Sequence, residues 1–210
     1  MVTLHGAVVS PVGHDATDWS MPAARMPTMA QELAPIIRRA GAADAQALSV
    51  LGAATFTETF AYLYAPEDLA EFLSRSHSPA AYGKLLADPA VATWLALAAD
   101  GEAIGYAVAG SCKLPVKHLE ERAGEIRQLY VLARCQKLHL GTRLLVTTLD
   151  WLAAGRRDPL YVGVWSENLG AQRLYARFGF EKVGEHGFPV GRQIDREFIL
   201  RRPPAPYTFR

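Results

Sequence analysis

Cysteine is nearly absent from this chain: Cys112 and Cys135 are the two in 210 residues. Two thiols cannot form the disulfide framework of a small secreted scaffold, so a reducing, cytoplasmic setting is expected. No stretch of about 18 consecutive apolar residues is present, which excludes an ordinary membrane-spanning helix, and no membrane partner is expected. Basic runs and interleaved basic and aromatic patches are missing too. With 22 Lys and Arg against 21 Asp and Glu, the net charge is +1, and no nucleic-acid partner is expected. No group of His, Cys and Asp has metal-site spacing, so no metal is expected. Repeats and internal linkers are absent.

What is present suits one sizeable core. Half of the residues are hydrophobic, and the length leaves no room for two ordinary domains. Residues 1–34 are different in kind. They hold all four methionines (Met1, Met21, Met26, Met29) among scattered Pro, Gly and Ala, with no sustained period. Val2 to Val12 is interrupted by His5, Gly6, Ser10 and Pro11, which argues against a signal peptide. The expectation is a mobile extension or an over-called start, then a domain over 35–202 and a short tail over 203–210.

Periodicity predicts a strand over 36–39 and a helix capped by Asp44 that turns Ala47, Leu48, Leu51, Ala54 and Thr55 inward. Pro66 opens a second helix and Ser78-Pro79 a third. Strands over 91–98 and 103–109 flank Asp100-Gly101 as a hairpin. Strand 125–131, helix 141–154, strand 160–165, helix 169–178 and strands 181–186 and 195–200 complete the order. The expected class is α/β with mixed topology: a sheet of about seven strands with helices on both faces.

The segment from Gly124 to Leu145 carries the most functional information. It reads as strand, polar turn, then a helix opening on Gly141. Such a turn leaves backbone N–H groups without partners, and the helix dipole adds positive potential there. The result is an anion cradle, into which a diphosphate fits because Gly141 lets the backbone come close. There is no Gly-Lys-Ser/Thr for a Walker loop and no Gly-x-Gly-x-x-Gly for a dinucleotide fold. An ordinary strand–turn–helix joint is the plain alternative.

A second motif follows. Asn168, Ala171, Gln172 and Tyr175 fall on one stripe of the helix after strand 160–165, a polar and phenolic stripe distinct from the apolar face of Leu174 and Phe178. Tyr175 reads either as a functional phenol or as a half-buried aromatic.

Gln136-x-x-His139-x-Gly141 resembles the Gln/Arg-x-x-Gly-x-Gly/Ala signature of GCN5-related N-acetyltransferases, with His139 in place of the first glycine. Asn168-x-x-Ala171-x-x-x-Tyr175-x-x-x-Gly179-Phe180 is similar to a second motif of that family. The stretches Thr55 to Phe60, Pro66 to Leu69 and Val183 to Phe188, with Gly191 and Asp195, narrow the resemblance to the PaiA-type spermidine/spermine N-acetyltransferases, over residues 36–201. The resemblance implies acetyl-CoA as co-substrate. Its diphosphate would lie on the main chain of Gln136, Lys137, Leu138, His139, Leu140, Gly141 and Thr142. Its pantetheine would lie in the gap between two splayed parallel strands, against Asn168 and Ala171, with Tyr175 by the sulfur. Homodimers are common among relatives and are the implied assembly. A positive φ at His139 would cost about 1 kcal/mol.

Acetyl transfer to an amine needs a base, because an alkylammonium has a pKa of about 10.4, and an acid or other support for the departing thiolate, whose thiol has a pKa of about 8.5. Tyr175 is the candidate acid. Glu125 is the candidate base, directly or through water, against the alternative of a solvated strand-end carboxylate; Glu58, Glu120 and Glu121 are reserves. Backbone N–H groups of Leu129, Tyr130 and Val131 are candidates for polarising the acyl carbonyl. The two cysteines read as inert thiols, and His118 and His186 either bear on the site or are ordinary surface or satisfied histidines. Glu58, Glu67, Asp68 and Glu71 could line an acidic mouth for a polyamine, or form a solvated helix face. The expected function is direct acetyl transfer to a primary amine of a small molecule, with polyamines leading. The alternatives are another amine (amino acid, peptide N-terminus, drug or toxin) and a non-catalytic acyl-CoA-binding module.

Overall fold

The computed structural model describes residues 34–136 and 139–204. Residues 1–33 of the extension expected over 1–34, Lys137 and Leu138 of the turn, and the tail from residue 205 lie outside the described residues. In chain order the elements are β1 (Ile36–Arg39), α1 (Ala45–Phe60), α2 (Pro66–Ser76), α3 (Pro79–Ala87), β2 (Val91–Leu97), β3 (Ala103–Ser111), β4 (Gly124–Val131), α4 (Leu140–Ala154), β5 (Leu160–Trp165), α5 (Leu169–Arg177), β6 (Glu181–Val190) and β7 (Gln193–Arg202). The strands form one seven-stranded sheet in the order β1-β2-β3-β4-β5-β7-β6. Every described pairing is antiparallel except β4 with β5.

Local chemistry accounts for most boundaries. Pro66 and Pro79 occupy first-turn positions, where the missing N–H costs nothing. Ser78 accepts the Ala81 N–H and caps α3. Asp44 does stand at the N-cap of α1, but its side chain does not cap: it accepts from the Gly41 N–H and pairs with Arg38 at 2.7 Å. The last two strands run longer than expected on both sides of their turn. Gly187, Pro189 and Gly191 read locally as breakers, yet Pro189 is tolerated on an edge strand, and Gly191 makes the turn at φ +55°.

Helices cover both faces of the sheet. A Cβ on Gly105 would meet Leu144 of α4. The next residue, Tyr106, points the other way and accepts a hydrogen bond from Tyr82 of α3. On that second face Phe56, Phe60, Tyr64, Phe72 and Phe188 pack as an aromatic wall, and Phe60 meets Trp165 edge-on. Among the described residues, no helix is long and apolar enough to cross a membrane.

The β4–β5 pair positions the site. It is in register only at Gly124↔Leu160, Glu125↔Tyr161 and Ile126↔Val162. Past Val162, β5 follows β7 as far as Trp165, while β4 stays with β3 up to Val131. A bulge opposite Val108 and Ala109 makes Arg127 the extra residue of β4, just where the parallel pairing ends. The two strands therefore splay, as a bulge that bends one strand of a pair would favour.

Candidate active site

Beyond the split, the chain turns through residues 133–135 and enters α4. The helix opens on Leu140, one residue earlier than the sequence suggested, with His139 as N-cap at φ +55°. His139 thus adopts the left-handed conformation that a glycine would adopt more cheaply. Among the described residues no side chain caps this end, and Thr142 and its neighbours in the first turn have no intrahelical acceptor for their N–H groups. His139→Gly should remove about 1 kcal/mol of strain, raising the melting temperature by about 2–4 °C in a chain of this size. A lower melting temperature would show that the imidazole makes a stabilising contact worth more than the strain.

At the foot of the split, Glu125 is fully buried although the sequence places it at a strand end. The segment after β3 folds over it with Cys112 and Leu114, which pack against Ala123, Tyr161 and Ile199. The Lys113 N–H donates to Glu125 Oε2 at 2.6 Å, and Oε1 finds no partner among the described residues. Burial raises the carboxyl, against the Lys113 bond and Arg127, to about 7. Such a group is poised to exchange a proton near neutral pH.

Asn168 opens α5 by accepting the Ala171 N–H at 3.0 Å, and Gln172 donates to Ser166 O at 2.9 Å. The stripe is less polar than expected: Ala171 and Tyr175 are buried along with Leu174, and Phe178 is only partly covered. Tyr175 packs edge-on against Phe180, and its hydroxyl has no partner among the described residues. Burial alone raises its pKa above the usual phenolic value, so it remains a proton donor. Tyr130 of β4 is held neutral by burial and then by Tyr106, Glu197, Tyr175 and Tyr64 around it. Leu129, Tyr130 and Val131 follow the split on β4 and are buried.

The reserve carboxylates are engaged elsewhere. Glu58 accepts the Ala133 N–H at 2.9 Å and tethers the turn. Glu120 accepts from Tyr161 and Arg201. Asp68 pairs with Arg192, and Glu67 and Glu71 are exposed on α2, so the acidic face of the first two helices is largely solvated or paired. Gln136 turns back to donate to Val131 O at 3.3 Å. His118 and Glu121 are exposed, and Cys112 is buried, its thiol pushed up to about 12 by burial and Glu125. Among the described residues, no group of three or more His, Cys, Asp or Glu could hold a metal.

Two buried carboxylates went unnoticed as site groups in the sequence. Asp195 accepts a short hydrogen bond from Tyr64, and Glu197 lies 3.1 Å from His186 Nε2. They alternate with Ile199 along β7, so acids occupy inward positions of a strand, and that alternation was the available signal. A hollow of about 310 Å³ on the outer hairpin is lined by Glu185, His186, Gly187, Ile194, Asp195 and Arg196. By strand alternation Glu185, Ile194 and Arg196 belong to the opposite face from Glu197, whereas His186 and Asp195 share its face.

The profile of the acetyltransferase (GNAT) family matches residues 56–180, a span that includes the split, the α4 turn and α5. The chain belongs to the GNAT acetyltransferase family. It is an acyltransferase by that membership. An uncharacterized N-acetyltransferase of Mycobacterium bovis is 30% identical over 166 residues, covering 76% of this chain and 97% of that protein. Another from Lactobacillus delbrueckii subsp. lactis is 28% identical over 148 residues, covering 70% of this chain and 85% of that one. Among solved structures, the PaiA N-acetyltransferase from Thermoplasma acidophilum in complex with coenzyme A superposes with a TM-score of 0.67 at 16% identity, covering 82% of this chain and all of that one. A ribosomal-protein-alanine N-acetyltransferase from Brucella melitensis gives 0.57 at 19% identity, covering 80% and 99%. At such identities the structural likeness supports the GNAT fold alone.

Proposed function

We propose that this acetyltransferase moves the acetyl group of acetyl-CoA directly to a primary amine of a small molecule, with a polyamine as the leading acceptor, Glu125 as base and Tyr175 as acid. One observation carries the reading. Two buried oxygens near the split, Glu125 Oε1 and Tyr175 Oη, have no partner among the described residues. A buried polar group without a hydrogen bond costs about 1–3 kcal/mol, and a bound substrate would relieve that cost. A binding module with no chemistry has no need of such a pair.

The residues fit the co-substrate. The uncapped first turn of α4, Leu140, Gly141 and Thr142, offers N–H groups to a diphosphate. Arg127 to Val131 of β4 have no pairing with β5, so backbone groups along that edge can hold an amide-bearing arm and the acyl oxygen, with Leu129, Tyr130 and Val131 as the proposed donors. Asn168 and Ala171 border the arm where α5 begins. When bound, acetyl-CoA supplies the acetyl group as an activated thioester.

Glu125 takes a proton from the acceptor ammonium, leaving a neutral amine. The amine nitrogen forms its bond to the acyl carbon as the carbon–sulfur bond breaks, Tyr175 gives its proton to the sulfur, and the nitrogen sheds its surplus proton to solvent as it becomes the amide. Solvent restores both groups. A cationic acceptor is favoured because the carboxyl groups of Glu125, Asp195 and Glu197 are all buried, with Arg127 the buried cation set against them among the described residues. Acetyl-CoA-dependent thiol release should be measured with spermidine, spermine, short diamines, amino acids and peptides. Turnover with polyamines and diamines is expected. Turnover with peptides alone would transfer the reading to a peptide N-terminus, and no release despite acetyl-CoA binding would overturn catalysis.

A further inference from the structure

The base proposed above is enclosed by the protein, so its protonation is set by the groups packed around it. Glu125 on β4 is faced by the Lys113 N–H and Cys112 from the segment after β3, by Arg127 on its own strand, by Glu197 on β7 and by His186 on β6. Arg127 is committed to Ser111 O at 2.7 Å. Glu197 and His186 are cross-strand partners in register, and their side chains meet at 3.1 Å.

The fold makes room for this pair. A Cβ on Gly163 would lie 3.0 Å from Glu197 Oε2 and 3.3 Å from Leu114, so the carboxylate occupies the space a side chain on β5 would take. Gly163 is two residues along β5 from Tyr161, the register partner of Glu125. Leu114 adjoins Lys113, which binds Glu125. Glu197 is thus held next to the base, and no proton transfer described so far employs it. His186 is partly open to solvent and Glu197 is not.

We propose that Glu197 and His186 are positioning residues that set the pH at which Glu125 works: Glu197 disfavours the carboxylate of Glu125 by like charge, and protonated His186 limits that effect by pairing with Glu197. This rests on Glu125 being the base. The two members act in opposite directions, as their charges require: Glu197 raises the Glu125 carboxyl and His186 lowers it. Paired, they leave the base near neutrality.

The test is the acidic limb of kcat/KM for the amine against pH, at saturating acetyl-CoA, with unfolding curves to confirm that each variant is folded. Glu197→Gln keeps the shape and removes one negative charge, so the limb should move to lower pH by about one unit. His186→Asn leaves Glu197 without its cation beside Glu125, and the limb should move to higher pH by a similar amount. A structural role alone would lower rates without opposing shifts. Shifts in the same direction, or none in either variant, overturn the proposal. Glu125→Gln separates the two readings. A limb that survives in this variant defeats the base assignment and the pair together, whereas a limb lost in it but unmoved in the other two defeats the pair alone.

Discussion

Glu125→Gln is expected to lower kcat by about 10²–10⁴-fold while making the folded protein more stable at alkaline pH. The kinetic loss follows from removing the proton acceptor, while acetyl-CoA binding, proposed to use the α4 turn and the open edge of β4, should hold within a few fold. The stability gain follows from linkage. Folding raises the Glu125 carboxyl from 4.5 to about 7, so the folded state binds its proton more tightly than the unfolded chain does. The favourable contribution is complete below pH 4.5 and is lost as pH rises through about 7. The difference, about 2.5 units, corresponds to about 3 kcal/mol. Gln does not titrate, and it keeps an oxygen for the Lys113 N–H. The melting temperature of the variant should therefore gain on the parent protein between pH 5 and pH 8, by up to about 10 °C at the upper end. Paired melts across that range, with thiol-release kinetics on the same samples, test both halves. A gap that stays constant with pH would mean that Glu125 is not the buried titrating group.

Tyr175→Phe should reduce kcat by about 10²-fold or more with little change in the Kd of acetyl-CoA. The ring, its contact with Phe180 and the α5 stripe are retained, so only the proton donor is lost. The loss should be greatest at high pH, where solvent protonates a departing thiolate least. In the ligand-free protein the same substitution removes a buried hydroxyl that has no partner among the described residues. It should leave stability unchanged or raise it by about 1–2 kcal/mol, the reverse of what removal of a satisfied hydrogen bond would do. Unchanged kcat would sink the acid role, and a destabilisation of several kcal/mol would mean that the hydroxyl is bonded after all. Both replacements share one logic: groups kept unsatisfied for a substrate are a burden on the fold without it.

The element order was legible because it depends on local rules. Proline at helix starts, the Asp100-Gly101 turn and period-two apolar strands act within a few residues, and the structure follows them at β1, α2, α3 and the β2–β3 hairpin. Legibility declined where local signals compete with pairing. Gly187, Pro189 and Gly191 suggest loops, but the β6–β7 ladder extends through 187 and 189, because an edge strand tolerates a missing donor and a hairpin turn needs a positive φ. On α5 the polar look of Ala171, Gln172 and Tyr175 suggested an open stripe, and the core buried Ala171 and Tyr175.

The sequence by itself determined the seven-stranded alternation of elements, the two motifs and the uncapped helix start, since each rests on residue types at fixed spacing along the chain. Tertiary structure alone decided that Glu125 is buried, that Glu58 tethers a turn, that Asp195 meets Tyr64, and that Glu197 and His186 pair near Glu125. Those facts depend on which strands become neighbours. The 112–114 segment must fold over β4, β7 must insert between β5 and β6, and Gly163 must leave space for a carboxylate from a residue 34 positions later in the chain. Burial and charge pairing are set by such distant contacts, and no local pattern encodes them.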